Sequence, residues 1–229
     1  MLTSWIAIGN STFKLNKHSL IRKKTVLVKA FLEEFVLKKK ENASLTILTS
    51  SYHASRAPQE VLDEFIDQYF LSHSHSRRPH KIPIHLLENL SPHALFELYK
   101  TSDAFVLATR GEGWGRPIVE AMSMGLPTIA TAWGGTTEFL NEENSFPLNP
   151  DELIEIEDGA FRGHMWADVN CQQVRQTMRK VFENEIDSKT RGAQARKTMV
   201  ENYKNVDIAT KLVKIVEGLI IKQKDWNLN

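Results

Sequence analysis

The sequence is short of several things, and each shortage closes a route. It has one cysteine, Cys171, in 229 residues. A lone cysteine allows no intrachain disulfide and no cysteine-built zinc site, and it fits a reducing compartment. No apolar run approaches the roughly 18 residues of a membrane span. Met1 to Trp5 lacks the basic region and long apolar core of a secretory signal. On that expectation Asn10-Ser11-Thr12 and Asn42-Ala43-Ser44, which match the glycosylation pattern, are chance. Neither sign of charge prevails, with 29 basic and 28 acidic side chains, so bulk electrostatics give no support for a nucleic-acid partner. Asp-x-Asp is absent, which argues against a metal held through that motif. No Gly-x-Gly-x-x-Gly follows the first apolar run, which disfavours an NAD-dependent oxidoreductase. His73, His75, His80 and His85 lie close together but without cysteine or i, i+4 spacing. They read as a solvated loop rather than a metal site.

What remains is ordinary for a soluble globular protein: 41% apolar and 25% charged residues. The expected setting is cytoplasmic, with any membrane reached through a partner.

The order of patterns along the chain is more informative. Trp5–Ile8, Leu45–Thr49, Ile82–Leu87, Ala104–Ala108 and Thr128–Thr131 are short apolar or β-rich runs, and they predict five strands. Between them, helical spacing predicts helices over about 20–40 and 59–71, one opening at Ser91-Pro92, and one after Gly115. This alternation predicts a Rossmann-like parallel sheet with helices on both faces. The stretch 141–163 is acidic and reads as loop. Helices follow over 172–185 and 188–202, then a final helix with an apolar stripe at Ile208, Leu212, Ile215, Val216 and Leu219. With no internal repeat and no evident linker, residues 1–229 read as one domain with a helical C-terminal tail.

The densest signal is Glu112-Gly113-Trp114-Gly115-Arg116-Pro117-Ile118-Val119-Glu120. An apolar strand precedes it, and Pro117 suits a first helical turn because its missing N–H would have had no partner there. A strand, a glycine turn and a helix start present free N–H groups and a positive dipole end to an anion. The turn can cradle a phosphate. Acids beside it would repel phosphate, so Glu112 and Glu120 suit the hydroxyls of a sugar. Together the pattern suggests a sugar nucleotide. Taken alone, two glutamates near a helix start read as solvated acids favoured by the dipole.

The flanks make the difference. Ser91-Pro92 through Tyr99, Ser102 to Leu107, the Glu112/Glu120 pair, Glu120-Ala121-Met122 with Gly125-Leu126-Pro127-Thr128-Ile129-Ala130, and Gly134-Gly135-Thr136-Thr137-Glu138-Phe139 come in the order seen in one family. The chain resembles the group 1 retaining glycosyltransferases of GT-B architecture. Gly163-His164-Met165-Trp166-Ala167 is similar to a block in a subset of that family.

The resemblance covers the C-terminal, donor-binding half. It implies a hexosyltransferase-like activity with a nucleotide-sugar donor, UDP- or GDP-linked. It also implies no cofactor or divalent metal, and it leaves the acceptor half to a separate polypeptide, a homodimer partner or a truncated segment. It assigns ribose hydroxyls to Glu120 and the sugar, or its developing charge, to Glu112. Backbone groups of Gly113, Trp114 and Gly115 face sugar or phosphate, and Trp114 can wall the pocket. Leu87 ends the strand that holds the base, and Glu138 has a cleft-facing counterpart. Arg116 is open between a phosphate ligand and a salt-bridging surface residue. The family carries two cations after the first strand. Here Lys14, Arg22 and Lys23 stand in that region, with Lys14 and Lys23 nine positions apart, wider than the family's pair. The other class in view is a non-catalytic nucleotide-sugar-binding or scaffold protein derived from such an enzyme.

Overall fold

The computed structural model describes residues 3–8, 26–38, 42–49, 56–72, 78–157 and 159–226. Six strands are β1 (Thr3–Ile8), β2 (Ala43–Thr49), β3 (Ile84–Glu88), β4 (Ala104–Leu107), β5 (Thr128–Thr131) and β6 (Phe146–Leu148). They form one parallel sheet in the order β3-β2-β1-β4-β5-β6. The order runs outward from β1 to β3, then restarts at β4 on the other side of β1. Ligands of such sheets bind at this reversal, beyond the carboxyl ends of the strands.

The helices are α1 (helical from 26, with a π turn over Leu32–Val36), α2 (Pro58–Ser72), α3 (Pro92–Thr101), α4 (Arg116–Ser123), α5 (Cys171–Glu183), α6 (Glu185–Asn202) and α7 (Asn205–Trp226). Strand alternation decides which helix covers which face. From β4, Ala104 and Val106 join a core with Phe31 of α1, Ile66 of α2 and Met178 of α5. Phe105 and Leu107 join the opposite core with Tyr99 of α3, Ile118 of α4 and Met199 of α6. Every residue of β4 and β5 is buried, as expected of strands covered on both faces.

Local chemistry sets the helix starts. Ser91 Oγ accepts from the Ala94 N–H (3.2 Å), with Pro92 opening α3. Asn170 Oδ1 accepts from the Gln173 N–H (2.7 Å) and caps α5. The π turn of α1 places Glu34, which is 2% exposed, against α5. There it meets Arg179 Nε at 2.6 Å and Lys38 Nζ at 2.5 Å. Arg175 Nε lies 3.1 Å away, outside hydrogen-bonding alignment. Burial raises the Glu34 pKa, but the hydrogen bonds from Lys38 and Arg179 outweigh it, so the carboxyl stays below its ordinary value.

The fold differs from the sequence reading in one region. The acidic stretch 141–163, expected as loop, contains β6 and β7 (Glu152–Glu155), and β7 pairs antiparallel with β8 (Met165–Asp168). Pro147 is tolerated in β6 because β6 lies at the sheet edge. The acids of β7 belong to a small two-stranded unit with exposed faces. The break between α5 and α6 narrows to Asn184. In α7, Ile208, Leu212, Ile215, Val216 and Leu219 are all exposed. No helix among the described residues is long and apolar enough to cross a membrane.

Candidate active site

The chain leaves β4 at the sheet's order reversal and enters the glycine turn directly. Glu112 forms a parallel bridge with Gly134, and the Gly135 N–H donates to the Glu112 carbonyl at 2.8 Å. The two turns touch backbone to backbone. A Cβ on Gly135 would lie 1.9 Å from the Gly113 carbonyl oxygen, so no side chain fits between them. Gly115 is left-handed (φ +78°), and a Cβ there would meet Ile118 at 2.9 Å. Its carbonyl accepts from the N–H groups of Ile118 and Val119, which starts α4. Among the described residues no backbone carbonyl takes the N–H groups of Gly113, Trp114 or Gly115. These are the free donors that a helix start offers to an anion.

The structure brings Glu112, Gly113, Trp114, Gly115, Arg116 and Glu120 together around this turn. Glu120 is partly held. The Tyr99 hydroxyl donates to its Oε2 (3.0 Å), and Arg116 approaches Oε1 at 3.6 Å while remaining 85% exposed. Burial pushes the Tyr99 phenol well above its ordinary range, and the Glu120 charge adds to that, so it stays a donor. Trp114 packs at a tilt against Phe139 (5.1 Å between ring centres) and edge-on against Tyr203 (5.7 Å). The Tyr203 hydroxyl donates to the Glu138 carbonyl at 3.3 Å, which ties the α6–α7 joint to the turn. Glu138 itself is exposed, at the end of the short helix Gly135–Glu138.

Leu87 stands apart from this group. It pairs with Leu48 near the carboxyl end of β3, three strands from β4. At about 4.8 Å per strand that is roughly 14 Å, so a ligand touching both must be elongated along the sheet edge. Lys14, Arg22 and Lys23 lie outside the described residues.

Sequence reasoning missed the contact of Tyr99 with Glu120 and the whole β7–β8 hairpin. The Ala167 N–H donates to the Arg110 carbonyl (2.9 Å), and the Arg110 guanidinium lies 5.4 Å above the Trp166 ring. These contacts fix the hairpin beside the segment that leads into Glu112. The available signal was the short apolar run Leu153-Ile154 with Ile156, masked by the glutamates on either side.

Comparisons with known proteins point the same way. HepE from Anabaena, solved in complex with UDP and glucose, shares the fold at TM-score 0.63 and 15% identity, over 95% of this chain and 48% of its own. The C-terminal domain of a glycosyl transferase group 1 family protein (LpcC) from Francisella tularensis matches at TM-score 0.60 and 16% identity, over 89% of both chains. Sucrose synthase 6 of Oryza sativa subsp. japonica is 42% identical over 67 residues, 27% of this chain and 8% of that protein. The chain thus spans about half the length of HepE and a small part of the synthase. The family profile for glycosyl transferases group 1 matches residues 23–159, more than half of the sequence. The chain therefore belongs to the glycosyl transferases group 1 family.

Proposed function

We propose that residues 1–229 form a donor-side domain that binds a nucleoside-diphosphate sugar and takes part in retaining glycosyl transfer. The observation that carries this reading is the turn Glu112–Glu120 at the strand-order reversal. It sets free N–H groups, a helix start and two carboxylates within nine consecutive residues. N–H groups and the dipole suit the diphosphate. Glu120 suits a ribose diol, because Tyr99 orients its carboxylate and leaves acceptor capacity free. Glu112 suits the sugar, where a carboxylate stabilises positive charge developing at the anomeric carbon. Leu87 marks the base end. Lys14, Arg22, Lys23 and Arg116 are the cations available to the diphosphate, and Glu138 and Trp114 complete the rim.

A UDP-sugar is the first donor to test, since the structural relative HepE was solved with UDP and glucose; a GDP-sugar is the second. No divalent metal is required on this reading. Every contact assigned so far is to the donor, and on this reading the rest of the acceptor surface lies outside these residues.

Calorimetry with UDP, UDP-glucose, GDP, GDP-mannose and ADP, with and without magnesium, tests the reading. Binding of one nucleotide without magnesium is expected, weakened at least tenfold by Glu120→Gln. No binding of any of them at millimolar concentration would overturn it.

A further inference from the structure

A cavity of about 300 Å³ opens beside the segment that leads from β4 into the glycine turn. One wall is the segment Ala108–Arg110 leaving β4. The others are the hairpin strands β7 and β8, and the starts of α1 and α5. The volume is within the range of small-ligand pockets, which set a few polar groups in apolar walls. Here Val26, Ile154 and Ala167 supply apolar wall, while Arg110 and Asp168 are the charged groups. Among the described residues no hydrogen-bond donor or cation is paired with the Asp168 carboxylate. Thr109 Oγ1, in the same wall, is buried without a partner. An orphan hydroxyl of this kind calls for a physical explanation.

The chemistry does not favour an anion. The start of α5 reaches this cavity, but Asn170 already caps it, and Asp168 offsets Arg110. A neutral group with several hydroxyls fits instead. It can donate to Asp168, accept from Arg110 and lay C–H surface on the apolar wall. We propose that this cavity is a pyranose subsite, with Asp168 and Arg110 as its specificity-determining residues. The inference rests on the donor reading for its place beside Glu112, and it adds a side of the site to which no role has been assigned. The pyranose is either the transferred sugar or part of the acceptor.

The only cysteine of the chain lines the cavity and reports its occupancy. Burial and the neighbouring Glu33 carboxylate push the Cys171 thiol up to about 11, so alkylation near pH 8.5 is slow and its rate easily followed. Iodoacetamide labelling is measured alone, with UDP, with UDP-glucose, and with UDP plus free glucose or a glucoside. Nucleotide binding is measured in parallel by calorimetry.

A sugar-bearing arm should slow labelling at least fivefold, while UDP alone should not. Protection by UDP-glucose identifies the transferred sugar, and protection by UDP plus a free sugar identifies an acceptor. Asp168→Asn should abolish protection with UDP affinity unchanged. Thr109→Val, nearly isosteric, serves as a second variant if the first fails to fold.

Nucleotide-sugar binding with unchanged labelling would overturn the subsite and leave the donor reading standing. So would protection by UDP alone equal to that by UDP-glucose. Sugar protection without any nucleotide binding would uphold the subsite and overturn the donor reading. If neither nucleotide nor sugar binds, both fall.

Discussion

Tyr99 donates its hydroxyl hydrogen to Glu120 across 3.0 Å, joining the helix before β4 to the helix after it. The Tyr99 side chain is almost fully buried, whereas the Glu120 side chain is 36% exposed. The bond therefore fixes a carboxylate that still faces solvent. Tyr99→Phe should cost about 1 kcal/mol of stability, the usual net value of one such bond, and weaken nucleotide binding severalfold. The phenol's pKa is raised in the folded protein. Its contribution is complete below the ordinary phenol value near 10 and is lost as pH rises above that toward the folded value. Thermal melts of both proteins from pH 7 to 11 would check this, with the gap narrowing only at the alkaline end.

Two glycines of the site should respond to the same substitution very differently. Gly135→Ala forces a Cβ to within 1.9 Å of the Gly113 carbonyl oxygen, so the turns must separate. A loss of about 1–3 kcal/mol or more is expected, together with loss of nucleotide binding. Gly113→Ala meets nothing within 4 Å. It should leave the melting temperature nearly unchanged and act only where a ligand approaches the turn. Scanning calorimetry and nucleotide titration of the two variants separate these outcomes.

The legibility of the chain followed its chemistry. The parallel sheet was readable because β4 and β5 are short apolar runs with turn residues on either side. The turn Glu112–Glu120 was readable because glycine, proline and acid each have a local reason to be there. The strand order was not, since it depends on which buried faces meet, as Phe105 with Tyr99 and Val106 with the α1 side. The β7–β8 hairpin was hidden because Glu152 and Glu155 break up the short apolar run Leu153-Ile154 and Ile156, leaving no period of two. The partnership of Tyr99 with Glu120 spans 21 positions, and no local pattern carries it.

Glu34 holds α1 to α5 by charge. Removing it in Glu34→Gln leaves Arg179 without its buried partner, and about 3 kcal/mol should be lost, near the lower end for broken buried pairs. Lys38 and Arg175 keep contact with water, which limits the effect. The folded pKa of Glu34 is depressed below 4.5. Its stabilisation is thus present above that value and lost as pH falls through the folded one. Urea denaturation of wild type and variant should differ at pH 7 and converge in acid.

Helix α7 exposes Leu212, Ile215 and Leu219, each about 60% accessible. A helix that buries little draws little support from packing, and local opening there needs little free energy. Hydrogen exchange should show α7 as the least protected described helix and β4 and β5 as the most protected strands.

The short joint at Asn184 has a consequence for how this protein behaves in crowded solution. Helices α5 and α6 lie on opposite faces of the sheet and meet around its edge. From there Lys180 and Arg191 both reach the ring of Phe146, at 5.7 and 4.4 Å. Arg191 also donates to the carbonyls of Glu142 and Ser145. With Pro147 inside it, β6 is an edge strand with a missing donor and a cationic clasp. Such an edge makes a poor template for a foreign strand. On that side the sheet is closed to edge-to-edge association by the same two helices that complete its cores.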